Sequence, residues 1–164
     1  MPWSNPSTRS TGYLVTSTNW NELANDLAFL AEVGYTEFTS DVTISATSVG
    51  TANQVVSSGA ITYENAPHMI EFYCPRYIPA TGTTNIILRD GTTVLGTLCV
   101  IVTGDNPGEL KLSRRLTPTA ASHTYNVAAW NSASTGTMKA GSGGAAGDAT
   151  TFLPGYIRVT RLPT

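Results

Sequence analysis

From residue 40 onward the sequence is a succession of short runs rich in β-branched and aromatic residues, separated by turn residues. This pattern is typical of an all-β sandwich or barrel, because such side chains suit a half-buried pleated surface. About ten strands are predicted, at residues 42–45, 54–57, 60–64, 68–74, 85–89, 94–103, 109–116, 124–130, 137–140 and 156–162. We therefore expect an antiparallel β-sandwich as the main domain.

Turn chemistry and alternation add detail to this prediction. Asp90 and Gly91 stand between two runs, and Asp-Gly is a strong signal for a tight hairpin because both residues tolerate positive φ. The last run alternates, with Ile157 and Val159 on one face and polar or mixed residues on the other. A terminal strand with this much apolar surface is normally central in a sheet, because fraying would expose all of it.

The N-terminal residues read differently from the rest. Residues 2–12 carry two prolines, Trp3 and several Ser and Thr, which predicts an extended arm. A short α-helix follows, with Asn19 or Thr18 as N-cap and Gly34 as the stop; Glu22 lies three residues beyond Asn19, as a capping box requires. Its main apolar face consists of Trp20, Leu23, Leu27 and Leu30. We divide the chain into an anchoring arm and helix, residues 1–38, and a β-sandwich domain, residues 39–164.

The later turns of that helix are apolar all round, since Phe29 and Val33 lie on its otherwise polar side. So short an element does not bury two faces within a small arm. Neighbouring chains or another protein would cover the second face; packing against the chain's own β-domain is the alternative.

Composition argues against several classes of partner. Charged residues make up 12% of the chain and the net charge is −2, so there is no basic patch for nucleic acid or an anionic membrane. No apolar stretch approaches the roughly 20 residues needed to span a bilayer, and the first residues do not resemble a secretory signal. We expect synthesis in a cytoplasm, with Cys74 and Cys99 as free buried thiols; a single disulfide between them is the alternative.

No catalytic, cofactor or metal site can be assembled from motifs. The loop 141–147 matches G-x-G-x-x-A but lacks the βαβ context of a dinucleotide site. Ser122 and His123 are neighbours on a predicted strand and face opposite ways, so they make a poor nucleophile and base pair. His123 is expected to form hydrogen bonds at a strand entrance or in a subunit interface. Asp105 and Glu109 lie at a turn without calcium-loop spacing. We expect a protein that is not an enzyme.

Two stretches of the sequence carry a resemblance to known proteins. Residues 3–6 (Trp-Ser-Asn-Pro), 11–12, 15–16, 19–21, 25–27 and 29–30 resemble the opening of many small virion proteins of tailed bacteriophages. Residues 116–118, 122–125, 135–137, Gly141 and the closing 154–162 resemble the back half of the trimeric jelly roll of tumour necrosis factor and complement globular heads. The resemblance implies an all-β, TNF-like jelly roll that forms a homotrimer, preceded by the arm and helix.

The same resemblance implies a role and partners. The protein would be a structural component on the exterior of the virion, made in the host cytoplasm and bound to the major capsid protein or to a tail or neck protein. Capsid decoration or a head fibre is the first reading, with Trp3, Trp20, Leu23, Leu27 and Leu30 as the virion anchor. Tyr125, Tyr156 and His123 are expected at the trimer interface, although each tyrosine could instead lie in the core or rim of its own subunit.

The alternative reading is a receptor-binding protein at the tail or baseplate that recognises glycans of the host surface. Tyr77 and Trp130 are the candidates for stacking on sugar rings, because they stand in or near predicted loops. Ordinary packing at the rim of the sandwich would explain both residues equally well.

Overall fold

A computed structural model describes residues 32–62, 66–79, 81–105, 107–141 and 152–162. Within these ranges the regular structure is β-strand, apart from one 3₁₀ turn at Val49–Thr51. The strands are β1 Glu32–Phe38, β2 Val42–Ile44, β3 Asn53–Ser57, β4 Ile61–Thr62, β5 His68–Ile78, β6 Thr84–Asp90, β7 Thr93–Ile101, β8 Gly108–Leu116, β9 Ser122–His123, β10 Tyr125–Asn131, β11 Gly136–Lys139 and β12 Gly155–Arg161. The all-β prediction is confirmed, and every predicted run overlaps a strand.

The strands form two main sheets in which every pairing is antiparallel. Sheet 1 has the order β1-β12-β5-β8, and β11 and then β2 continue it beside the far end of β5. Sheet 2 has the order β3-β10-β6-β7, and β4 and β9 form a small separate ribbon. The chain passes repeatedly from one sheet to the other, so the strand order is consistent with a jelly roll.

The core lies between the inner faces of the two sheets. It is built by alternation, since every second residue of a strand points inward. On β12, Ile157 and Val159 are fully buried while Tyr156 and Arg158 keep exposed surface, as the sequence pattern predicts. The core includes Ile44, Phe72, Cys74, Tyr77, Ile86, Leu88, Tyr125, Val127 and Met138. The prediction that the last strand is central is also confirmed, because β12 lies between β1 and β5.

Strand β5 runs four residues further than the prediction, which stopped before Pro75. The register with β8 shifts between Cys74 and Tyr77, on either side of this proline. A proline cannot donate to a sheet ladder, so an irregularity in the pairing is where a strand can accommodate it. The strand therefore passes through Pro75 and ends at Ile78.

Strand β1 differs from the sequence interpretation. Residues 32–38 were assigned to the anchoring segment, with the helix ending at Gly34, but they pair with β12 from Glu32 to Phe38. Val33 packs against the core and Phe38 is buried in it, and these contacts favour the extended conformation over a helix. The arm and the rest of the helix, including Trp3, Trp20, Leu23, Leu27 and Leu30, lie outside the described residues and stay predictions.

Three smaller findings complete the fold. The β6–β7 hairpin turns at Asp90-Gly91 as predicted, with Gly91 at φ 55°. Cys74 and Cys99 are both unpaired, as expected; Cys74 is buried and Cys99 half-buried. The described part of the chain contains no helix long and apolar enough to cross a membrane.

Candidate interaction surfaces

The outer face of sheet 1 carries a row of three tyrosines. Tyr156 on β12 lies between Tyr35 on β1 and Tyr73 on β5. The centre of its ring is 5.4 Å from that of Tyr35 and 5.5 Å from that of Tyr73, and the ring planes are tilted by 33° and 32° to the same two neighbours. The row exists because the outward residues of three neighbouring strands fall beside one another in the sheet register. We call this surface, with Glu71 and Arg158, the tyrosine face.

An ion pair lies beside the tyrosines. Glu71 and Arg158 are directly opposite each other on β5 and β12, and one carboxylate oxygen, Oε2, lies 2.6 Å from Nη2 and 2.8 Å from Nε of the guanidinium. The guanidinium is also 6.0 Å from the centre of the Tyr156 ring. Because both side chains are partly exposed, the pair adds little to stability. Its main effect is that the face presents two charges that neutralise each other.

The hydroxyls of Tyr35 and Tyr73 stay protonated. The Tyr35 hydroxyl donates a hydrogen bond of 2.8 Å to Oε1 of Glu37, and partial burial together with this carboxylate raises the pKa of Tyr35 to about 12. Burial and then the charge of Glu109 also raise the pKa of Tyr73. Tyr35 and Tyr73 therefore offer neutral phenols near neutral pH. A shallow depression of about 370 Å³ adjoins it, lined by Glu32, Met69, Glu71, Arg158, Thr160 and Leu162.

A second surface lies on β7, the edge strand of sheet 2. Val94, Leu95, Val100 and Val102 along and just after this strand are 43–50% exposed. The strand itself, Thr93–Ile101, contains no charged residue. Natural edge strands are normally protected by charged side chains, proline or a covering element, because a bare apolar edge promotes association. We call these four residues the aliphatic edge.

A groove opens where β7 faces β8, the neighbouring edge of sheet 1. Its lining is mostly aliphatic and includes one cation, Arg114. The lining residues are Leu88, Leu95, Gly96, Thr97, Leu98, Arg114 and Leu116. Within the described ranges Arg114 forms no salt bridge.

Of the residues predicted for the trimer interface, His123 and Tyr125 lie together with stacked rings, whereas Tyr156 lies on the other sheet. Tyr125 is 2% exposed and belongs to the core of its own subunit, so it has no surface for a neighbour. The alternative reading, a core tyrosine, is the one the structure supports for this residue. Tyr156 does keep exposed surface, at the centre of the tyrosine face. His123 lies at one end of the sandwich, hydrogen-bonded to Asp90.

The two candidate glycan contacts also differ from each other. Tyr77 is fully buried and its hydroxyl is hydrogen-bonded to the side chain of Thr84, so it cannot reach a surface ligand. The sequence interpretation missed this because β5 continues past Pro75. Trp130 is half-buried on the outer face of sheet 2, where it packs against Ala52, Ile87 and Ala128.

Sequence reasoning missed Tyr35, Tyr73 and the exposure of β7. The alternation of inward and outward residues in 69–73 and 33–37 was the signal that Tyr73 and Tyr35 point outward. Only the sheet register places these tyrosines in one row with Tyr156. A continuous apolar run such as 98–102 does not distinguish a buried strand from an exposed edge. In the described part of the chain no group of three His, Cys, Asp or Glu side chains is arranged to hold a metal ion.

Comparisons with known proteins add little to this description. No protein-family model and no curated protein matches the chain. Among similar solved structures is the C-terminal domain of EclA, a sugar-binding protein, with 14% sequence identity and a TM-score of 0.38 over 84% of this chain and 86% of that chain. At this TM-score the likeness carries no conclusion about fold, ligand or assembly.

Proposed function

We propose that this chain is a non-enzymatic structural protein that assembles as a homotrimer on the exterior of a tailed-bacteriophage particle, as a capsid decoration or head-fibre protein. The observation that carries self-assembly is the aliphatic edge, an uncharged edge strand with its apolar side chains in solvent. The location on a virion is what the sequence resemblance implies. The anchor would be residues 1–31, since residues 32–38 belong to the sandwich as β1, and it would bind the major capsid protein or a tail or neck protein.

Burial of the aliphatic edge supplies a driving force for association. Complete burial of a valine or leucine stabilises by about 1.5 to 3 kcal/mol, so covering the exposed half of each of these four side chains contributes about 1 kcal/mol apiece. The strand brings no charge that would have to be desolvated. Another copy of the chain is the occupant we favour.

The tyrosine face is the second surface that supports assembly. It lies on a different sheet from the aliphatic edge, and contact between two different surfaces of identical subunits generates a closed ring when the rotation permits. Burying Glu71 and Arg158 together leaves neither charge unpaired. Tyr156 is partly exposed on this face and is available for the predicted contact, whereas Tyr125 is buried in its own subunit. Threefold closure itself rests on the resemblance.

The test is the mass of the full chain in solution, measured by light scattering coupled to size-exclusion chromatography. We expect three times the chain mass of 17.3 kDa at micromolar concentration. Val100→Glu should dissociate the trimer, because this exposed side chain points away from the core and would bring an unpaired carboxylate into the interface.

Gln54→Glu is the matched control. It adds the same carboxylate at an exposed position on β3, the other edge of sheet 2, and should leave the mass unchanged. Circular dichroism would show that both variants stay folded. A monomeric wild-type chain, or a Val100→Glu variant that stays trimeric, would contradict the proposal.

A second candidate, a receptor-binding module for host glycans, is favoured by one observation. The half-buried ring of Trp130 lies opposite Asn85 on the outer face of sheet 2. Asn85 in turn lies opposite Val100 of the aliphatic edge, so this candidate site borders the proposed subunit interface. An aromatic ring next to an amide can stack on a sugar and hydrogen-bond its hydroxyls. Binding on a glycan array that is lost in Trp130→Ala, with the trimer retained, would support this candidate; no binding by the wild-type trimer would count against it.

A further inference from the structure

His123 lies where several connections of the sandwich meet. It belongs to β9, which pairs with β4, and it follows the segment 117–121 that leads out of β8. The hairpin between β6 and β7 approaches from the other side, through Asp90 and Gly91. The side chain of His123 therefore touches both the hairpin and the segment.

Each ring nitrogen of His123 faces an oxygen. Nδ1 lies 2.5 Å from Oδ2 of Asp90. Nε2 lies 3.1 Å from the main-chain carbonyl of Thr119, its nearer oxygen, and 3.5 Å from the hydroxyl of the same residue. The other carboxylate oxygen of Asp90 accepts a hydrogen bond of 2.9 Å from the amide of Thr124. The imidazole also stacks on Tyr125, with ring centres 6.0 Å apart and planes 8° from parallel. The ring is therefore fixed in a single orientation.

Two acceptors require two donors. A carboxylate and a carbonyl oxygen can only accept hydrogen bonds, and both nitrogens of imidazole carry hydrogen only in the protonated ring. The hydrogen bond to Asp90, opposed by burial and aided by the Thr119 carbonyl, raises the pKa of His123 above its ordinary 6.5. The arrangement thus binds imidazolium rather than neutral histidine.

We propose that His123 is a pH-sensitive clasp that fastens segment 117–121 to the β6–β7 hairpin while the ring is protonated and releases the segment when the proton is lost. The release occurs at Thr119. A carboxylate is the stronger acceptor, so the remaining proton stays on Nδ1 toward Asp90. The Nε2 lone pair then faces the Thr119 carbonyl oxygen, and the two repel. The clasp lies within one chain and does not depend on the proposed assembly.

The titratable and charged groups around the His123 ring are consistent with a contact that is lost as pH rises. Asp90 on β6 faces the ring directly, Tyr125 on β10 stacks on it, and the described strand β4 adds no titratable side chain. His68 on β5 is near enough to interact electrostatically, and burial lowers its pKa, so it is neutral in the range where His123 releases its proton. The folded pKa of His123 is raised, so the clasp is complete below the ordinary value of 6.5 and is lost as pH rises through the folded value.

Two measurements on the full chain test the clasp. Nitrogen-15 NMR of the imidazole reads the protonation of each ring nitrogen. We expect a doubly protonated ring at pH 6 and, at higher pH, a neutral ring with hydrogen on Nδ1. Hydrogen exchange followed by mass spectrometry, corrected for intrinsic rates at each pH, reads the opening of segment 117–121. Its protection should fall roughly fivefold or more across the transition, as the loss of one hydrogen bond implies.

Variants separate the clasp from general instability. His123→Gln cannot titrate, so protection of segment 117–121 should no longer depend on pH, while strands β10 and β12 stay protected. Thr119→Val removes the hydroxyl near Nε2 but keeps the main-chain carbonyl, so it should behave like the wild type if the carbonyl is the acceptor. A ring that is neutral at pH 6, or segment protection that responds to pH equally in His123→Gln, would overturn the proposal.

Discussion

The buried hydroxyl pair of Tyr77 and Thr84 gives a sharp test of the core. Tyr77 is fully buried, Thr84 is 1% exposed, and their side chains share a hydrogen bond between β5 and β6. Removing one hydroxyl leaves the other buried without this partner, which costs about 1 to 3 kcal/mol. Tyr77→Phe and Thr84→Val each remove one hydroxyl with little change in shape. We expect each variant to lose stability in that range.

The double variant decides the interpretation. With both hydroxyls gone neither is left buried without the other, so Tyr77→Phe with Thr84→Val should lose less than the sum of the single losses, by about 1 to 2 kcal/mol. This cycle isolates the pair from the other contacts of Tyr77.

Urea unfolding at one fixed protein concentration measures the three losses. The dependence of unfolding free energy on urea should stay constant across the variants. Thermal midpoints should fall by about 4 °C for each kcal/mol in a domain of this size. Losses that add without coupling would show that the two hydroxyls do not interact and would refute this description of the core.

Three further predictions concern packing, pH and thiol chemistry. Gly155→Ala should destabilise the protein by about 1 to 3 kcal/mol in urea unfolding, because its Cβ would lie 2.1 Å from Cε1 of Phe38. Phe38→Leu in the same chain should recover part of the loss, and an unchanged urea midpoint in Gly155→Ala would contradict this packing. Burial lowers the pKa of His68 below 6.5, so as pH falls the unfolded chain takes up the proton first and stability declines. His68→Gln should remove that part of the decline. An unfolding free energy that depends on pH identically in the variant and the wild type would refute this. In the folded protein, iodoacetamide at pH 8 should modify Cys99 and spare Cys74, which is buried with a pKa raised to about 11. Equal modification of the two cysteines, measured by mass spectrometry, would contradict this.

The strands could be predicted from sequence because their causes are local. β-branched runs, turn residues and the alternation of Ile157 and Val159 all act within a few residues of the chain, and each predicted run overlaps a strand. Asp90-Gly91 fixed the hairpin for the same reason. Strand β1 was missed because residues 19–34 also satisfy a helical pattern, and only pairing with β12 selects the extended form for residues 32–38.

The candidate surfaces depend on long-range register and could not be predicted in the same way. The inward or outward direction of Tyr125 and Tyr156 follows from which face of each strand meets the core, and both residues suit either face by type. Tyr35 and Tyr73 become neighbours of Tyr156 only through the order β1-β12-β5. The protonated state favoured for His123 likewise depends on Asp90, which lies on a different strand.

The central position of β12 bears on how the chain matures during synthesis. Strands β1 and β5 emerge from the ribosome early, yet they share no direct pairing and are joined only through β12, which is made much later. Until then one edge of β5 and the hydrogen-bonding edge of β1 remain open, and folding must wait for a contact between distant parts of the sequence. We therefore expect nascent chains that lack β12 to be prone to aggregation or chaperone binding.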